Sequence, residues 1–191
     1  KGAQGPSVVH HGGRWWMFYA GIGNDGIQRI CLAVADPDRP TEWERFGPIL
    51  ELGQKDYFDE RSATYPRVHR VGNKWHLYYS GRSSRENEYH FANYRGIGLA
   101  QSHDLRNWTK FSADPVIEAD GIAEYPGCKA LVGLGNLVDV RLPDGRAGYR
   151  LYYTLLPGLK DPDWKENGTW HVIEHKVCVA AHSVDGILWN D

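Results

Sequence analysis

The chain has 191 residues, 41% of them hydrophobic and 24% charged, with 22 Lys and Arg against 24 Asp and Glu for a formal charge of −2. That is enough apolar material for a packed core, and the balanced charge argues against a protein held to nucleic acid by bulk electrostatics. No run approaches the roughly eighteen apolar residues of a membrane-spanning helix, while 8 Trp, 11 Tyr and 22 Gly against a single Met favour strands and tight turns.

Three cysteines cannot build a disulfide framework. Cys31 and Cys178 fall in the strand-like runs Ile30–Val34 and Val177–Ala181. Both are expected to be buried free thiols, at the same place in different repeats. The chain begins at Lys1 with no initiator Met and no charged-then-apolar leader, which fits a removed targeting segment or a start outside this chain. The compartment stays open.

The first fifty or so residues set a pattern that returns. Pro6-Ser7-Val8-Val9 leads through Gly12-Gly13 into Trp15-Trp16-Met17-Phe18-Tyr19, then Ile30-Cys31-Leu32-Ala33 and Trp43. Offset by 60 residues, Pro66-Arg67-Val68-His69 leads through Gly72-Asn73 into Trp75-His76-Leu77-Tyr78-Tyr79, then Ile97-Gly98-Leu99-Ala100 and Trp108. A looser copy runs from Asn136-Leu137-Val138-Asp139 through Pro143-Asp144-Gly145 into Tyr149-Arg150-Leu151-Tyr152-Tyr153, then Val177-Cys178-Val179-Ala180 and Trp189.

Each unit reads as strand, turn, aromatic strand, loop, small-residue strand and a short Trp-bearing strand. The expected fold is all-β, a β-propeller of four-stranded antiparallel blades at about 6–50, 66–117 and 136–191, filling 1–191 as a partial propeller. Trp15 to Tyr19 is apolar throughout, as in a strand covered on both faces. A β-sandwich would not return the same four-part unit in order. The three blade tryptophans should take matching positions and pack on their own blades.

The phrase Pro6-Ser7-Val8-Val9 with Gly12-Gly13-Arg14-Trp15-Trp16-Met17-Phe18-Tyr19, and the run from Gly96-Ile97-Gly98-Leu99-Ala100 to Trp108, resemble the blades of five-bladed propeller glycosidases. These are the arabinanase, xylosidase and fructosidase-like proteins of glycoside hydrolase families 43, 32 and 130. The resemblance implies that about three of five blades lie in this chain, the remaining blades of the same propeller outside it. It also implies a carbohydrate substrate and no nucleic-acid or membrane partner. No cofactor is called for, beyond room for a calcium ion bound in the channel. Where family 43 commonly has an Asp before the Pro-Ser of one blade, this chain has Gly5. The fructosidase Trp-Met-Asn-Asp-Pro-Asn, Arg-Asp-Pro and Glu-Cys-Pro signatures are absent.

Several motifs have plain structural readings. Gly21-Ile22-Gly23-Asn24-Asp25-Gly26 matches a dinucleotide fingerprint, but a strand-like run rather than a helix follows, so it is expected to be a hairpin loop. His171 and His175 have helical zinc-ligand spacing without helical context. No metal site is expected there. Asn107-Trp108-Thr109 and Asn167-Gly168-Thr169 are glycosylation sequons, meaningful only in a secreted eukaryotic protein.

The candidate site lies where the innermost strands begin, at a channel mouth. Asp59, Glu60 and Arg61 precede the second such strand, which carries Tyr65, Arg67 and His69 at alternate positions. Glu124 precedes the third, which carries Asp139. Glycoside cleavage needs an acid to protonate the leaving oxygen and a carboxylate across the sugar ring. The candidates are Asp59 or Glu60 with Glu124 or Asp139, while Tyr65, Arg67, His69 and Arg61 bind substrate. A non-catalytic, lectin-like propeller is the alternative, and a protein-interaction scaffold a third reading.

Overall fold

The computed structural model describes residues 2–83, 94–118, 130–156 and 177–190, and these hold twelve strands and no helix. The first sheet runs β1 (Gly2–His11), β2 (Arg14–Ile22), β3 (Gln28–Ala35) and β4 (Trp43–Pro48), in that order. The second runs β5 (Ser62–Val71), β6 (Lys74–Arg82), β7 (Tyr94–Ser102) and β8 (Thr109–Lys110), with β9 (Ile117–Glu118) also on β7. The third holds β10 (Ala130–Arg141), β11 (Ala147–Leu156) and β12 (Val177–Ser183), its Trp-bearing segment reduced to one bridge between His182 and Asn190. All pairings are antiparallel and, β9 on β7 aside, join chain neighbours, as a meander requires. The fold is a β-propeller.

The middle blade shows why the aromatic strands are written as they are. Trp75, Leu77 and Tyr79 of β6 join one apolar cluster with Trp16, Phe18, Leu32 and Val34 of the first blade. Tyr78 points the other way, into a cluster with Leu137, Leu151 and Tyr153 of the third. Seven consecutive β6 residues, Trp75 to Gly81, are buried. In β2 only alternate residues are, those facing the second blade. Alternation is set by the pleat, and two-sided burial by having a neighbour on each face.

Local chemistry fixes each unit. Gly12 and Gly13 turn β1 into β2 with φ of 58° and 70°, the left-handed pair of a tight hairpin. Each innermost strand carries a bulge, after Gln4, after Thr64 and after Leu131. In the second and third blades the third strand ends in a Ser-x-Asp turn. Ser102 Oγ accepts from the Asp104 and Leu105 amides, and Asp104 Oδ1 from those of Arg106 and Asn107. Ser183 and Asp185 repeat the pattern in the third blade. The amide donors hold the Asp104 carboxyl well below the usual carboxylate range, the Asn107 amide contributing most.

Three expectations are refined. Trp108 and Trp189 do take matching positions, but their rings meet the preceding blade edge-on, Trp108 on Phe18 at 5.5 Å and Trp189 on Tyr78 at 5.6 Å. They staple neighbours together. Cys31 and Cys178 are free, yet Cys31 is buried and Cys178 exposed. Cys31 pairs with Tyr19 and Cys178 with Thr154, and Tyr19 matches Tyr153, so the two thiols stand one residue out of register and face opposite ways. Gly21–Gly26 is a hairpin loop, with Asp25 Oδ1 accepting from the Ile27 amide and the Asp25 carboxylate paired to Arg29.

Phe18 is wholly buried at the first seam whereas Leu188 is 71% exposed. Phe18→Ala should lower unfolding free energy by about 3–5 kcal/mol, and Leu188→Ala by less than about 0.5, in urea titration of the two variants.

Candidate functional site

Antiparallel pairing sorts the connections by end. The tight hairpins at 12–13, 72–73 and 142–146 lie at one end of the innermost strands. The segments 23–27, 49–61, 83–93, 119–129 and 157–176 all join strands at the other, where β5 and β10 begin. Loop length, and with it chemical variety, is concentrated at that mouth.

Arg67 is the hub of this region. Its Nε donates to the Gly135 carbonyl of β10, and its Nη1 to Pro66 O at 2.7 Å and to Gly5 O of β1 at 3.4 Å. One guanidinium therefore ties the innermost strands of all three blades. Burial pulls its pKa down, but it keeps its charge while meeting carbonyls and no carboxylate among the described residues. Two further bonds join the first pair of strands, Val68 N to Ser7 Oγ at 3.1 Å and Gln4 Nε2 to Thr64 Oγ1 at 3.4 Å.

Tyr65 stands beside this hub in a left-handed conformation, φ 51°, immediately before Pro66. The matching residue of the first blade is Gly5, φ 60°, also before a proline. A side chain in this region costs about 1–2 kcal/mol that glycine avoids. Gly5 also makes room: a Cβ there would sit 3.0 Å from Tyr65 Cδ1. The Tyr65 ring is half buried and lies over Gly5.

Tyr65, Arg67 and His69 share the face of β5 that looks to the third blade. There His69 Nε2 meets Asp139 Oδ2 at 3.2 Å, and the Tyr149 ring meets the imidazole edge-on at 6.0 Å. Asp139 pairs with Tyr149 across β10 and β11, the place that Arg70 holds opposite Trp75 in the second blade. It is therefore one residue out of step with His69, not its equivalent. That slip makes the contact: neighbouring blades meet through opposite faces, so touching residues must differ in parity.

Among the described acidic candidates, Asp139 stands apart from Asp59 and Glu60. Asp59 is 1% exposed, at the first seam, where its Oδ2 accepts from Tyr79 at 2.9 Å and pairs with Lys110 Nζ at 2.6 Å. A carboxylate enclosed in this way holds the blade together as a buried ion pair. Asp139 is exposed, but at the wrong level. From Ser62, where 59–61 lead in, to His69 is seven residues, roughly 23 Å of strand. Glycosidase carboxylates stand about 5–10 Å apart. Asp139 thus lies well beyond that separation from the start of β5. Glu60 is half buried at the mouth, with Oε2 accepting the Asp56 amide at 2.6 Å. Arg61 is exposed, its backbone amide bonded to Arg82 O at 2.8 Å. Glu124, His171, His175 and Asn167 lie outside the described residues. Among those described, no group of three or more His, Cys, Asp or Glu gathers to hold a calcium or other metal ion.

Sequence reasoning missed the buried partners of Asp59. Lys110 stands 51 residues away and follows the blade tryptophan, so only the sheet order β5-β6-β7-β8 brings them together.

The comparisons agree with the fold. No protein-family model matches the chain. It is 31% identical over 114 residues to a 1,2-beta-oligomannan phosphorylase of Thermoanaerobacter sp. (strain X514), over 56% of this chain and 30% of that protein. The chain therefore spans under a third of that curated relative. Among solved structures, fructan 1-exohydrolase IIa from Cichorium intybus superposes with a TM-score of 0.63 at 18% identity, over 98% of this chain and 31% of its own. A thermostable family-43 glycoside hydrolase superposes at 0.58 and 17% identity, over 100% of this chain and 51% of its own. Zg3597, a family 117 glycoside hydrolase of Zobellia galactanivorans, gives 0.60 and 17%, over 100% and 45%. The chain has the propeller fold of these glycoside hydrolases.

Lys110→Met would leave the buried Asp59 carboxylate without its cation and should destabilise the protein by about 3 kcal/mol. Asp59→Asn combined with Lys110→Met should recover most of that loss in chemical denaturation. A double variant no more stable than Lys110→Met alone would mean the pair is not what holds the seam.

Proposed function

We propose that this chain supplies the channel hub of a carbohydrate-active propeller that cleaves glycosidic bonds at the mouth where its long loops gather. The observation that supports this most is the Arg67–Tyr65 arrangement. A partly buried guanidinium without a carboxylate partner among the described residues and a strained aromatic residue stand together at the loop-bearing end of three converging strands. Guanidinium donors bind sugar hydroxyls or an anion, and an aromatic ring offers a surface to a pyranose face. Further blades of the same propeller complete the channel. They cover the half-buried Trp15, Met17 and Tyr19 of the first blade, which face away from the second.

In this reading Glu60 and Glu124 are the acid and base, with Arg61 and Arg67 orienting the substrate. A Glu enclosed by loops and sugar has its charged form disfavoured and can hold the proton that the leaving oxygen takes. His69 and Asp139, about 13 Å further along the strand from Tyr65, line the channel wall below the reacting bond. The oligomannan phosphorylase likeness makes inorganic phosphate a natural attacking group, and Arg67 the nearby cation for it.

A second reading has its own support. With Asp59 enclosed and Asp139 distant, the described residues assemble no carboxylate pair, which suits a lectin-like propeller that binds sugar without cutting it.

The intact protein incubated with β-1,2-linked mannobiose should release mannose, or a 1-phosphosugar when phosphate is supplied. Glu60→Gln and Glu124→Gln should each lower kcat by about a hundredfold or more, with melting temperature unchanged. Binding of the disaccharide with no product, and variants equal to the parent, would establish the lectin-like reading instead.

A further inference from the structure

The two seams between blades are built on the same plan but with different chemistry. At the first, Trp16 and Phe18 of β2 face Leu105, which sits in the Ser-x-Asp turn of the second blade with φ 65° and is wholly buried. At the second, the matching residues are His76 and Tyr78 of β6, and they face Gly186, φ 70°, in the same turn of the third blade. A Cβ on Gly186 would lie 2.8 Å from the Tyr78 hydroxyl and 3.2 Å from His76 Nδ1. An apolar seam has been replaced by a buried polar one, at a place where the first blade shows that apolar residues suffice.

The polar groups form a single chain. Lys74 Nζ donates to Gln101 Oε1 at 3.2 Å, Gln101 Nε2 meets His76 Nε2 at 2.9 Å, His76 Nδ1 meets the Tyr78 hydroxyl at 3.1 Å, and that hydroxyl donates to Gly186 O at 2.6 Å. Both ends fix its direction, because an ammonium only donates and a carbonyl only accepts. His76 must therefore be neutral, with its proton on Nδ1 and Nε2 accepting from Gln101. His76 is 3% exposed and Tyr78 wholly buried, so a mismatch at this end of the chain is costly.

In the second blade Trp108 Nε1 donates to Leu105 O at 3.1 Å. In the third, the equivalent acceptor is Gly186 O, which accepts from Tyr78, and Trp189 Nε1 is buried with no partner among the described residues. With Tyr78 seated on this carbonyl, the bond seen in the second blade is not made in the third.

We propose that the seam between the second and third blades is a proton-gated latch, closed when Tyr78 holds Gly186 O and released when that carbonyl passes to Trp189. Protonation of His76 puts a hydrogen on Nε2, facing the Gln101 amide. Gln101 must then turn its oxygen to the ring, which points its NH2 group at Lys74 and removes the lysine's acceptor. The imidazolium is left in a buried seam whose nearest charged and titratable groups are Lys74 and His69 on its own blade and Asp185 on the third. Asp139 and Tyr149 stand beyond His69. The Lys74 ammonium, stripped of its acceptor, stands beside the imidazolium against the single adjacent carboxylate of Asp185, and this favours expulsion of the ring toward water, and with it Tyr78.

The sign follows from the neutral ring. Burial is the main reason that the His76 pKa is lowered from 6.5, with Gly186 and Asp185 opposing and Lys74 and His69 reinforcing. The stabilisation is complete above 6.5 and is lost as pH falls below it. Because His69 and Asp139 lie on the same seam, release alters the channel wall as well as stability.

Thermal melts of the full chain between about pH 7.5 and 5.5 test this against His76→Phe, which cannot titrate. The parent should lose about 3 °C or more beyond whatever the variant loses. Nitrogen NMR of the parent should show His76 as the Nδ1–H tautomer at the higher pH. The Trp189 indole N–H signal should move toward that of a hydrogen-bonded indole as pH falls. Equal pH slopes in parent and variant would overturn the latch. So would an Nε2–H tautomer or an unmoving Trp189 signal, and these two are read on the parent even where His76→Phe does not fold.

Discussion

A four-stranded sheet with two apolar faces is stable in water only between two others, and the rest of this structure depends on that constraint. It explains why β6 is buried at seven consecutive positions while β2 and β11 alternate. Identical sequence patterns give different burial because neighbours differ. It also explains why the blade tryptophans reach backward. Trp108 and Trp189 close the seam in front of their own blade by standing edge-on to Phe18 and Tyr78, a geometry that favours aromatic pairs beyond their buried area.

Seams made only of apolar surface would hold blades together without fixing their axial level, because hydrophobic burial is non-directional. Directional bonds between innermost strands supply that setting. Arg67 reaches carbonyls on both neighbours, and Ser7 holds the Val68 amide. The hub thus sets the level of three innermost strands with one side chain. The strain at Tyr65 belongs to the same economy of position. Gly5 shows that the bulge itself needs only a left-handed residue, and at the equivalent place Tyr65 adds a ring that packs against the second apolar cluster.

The repeat made the fold legible, because four elements returning in order exclude a sandwich more firmly than any propensity does. Parity within one strand was equally legible: Tyr65, Arg67 and His69 share a face as their spacing implies. Register between repeats was not. The third copy carries a longer hairpin at 142–146 and its bulge sits differently, so Asp139 stands one residue out of step with His69 although the sequence pattern equates them. Cys178 fails as the equivalent of Cys31 in the same way, and so comes out exposed. A single-residue error flips a side chain to the other face. Alternating patterns cannot reveal such an error where both faces are apolar.

The acidic residues were the least legible, for an electrostatic reason. Asp59-Glu60-Arg61 reads as one solvated cluster, yet the neighbours part completely, Asp59 into a buried ion pair and Glu60 to the mouth. Sequence gives the charge but not the counter-charge, and Lys110 arrives only through three sheet pairings. The same limit applies to His76, whose chemistry is decided by Gly186, 110 residues away in the chain. Glycine there looks like a turn requirement and nothing more. Comparing it with Leu105, which adopts the same left-handed turn with a side chain attached, shows that the turn did not require glycine; the hydroxyl of Tyr78 did.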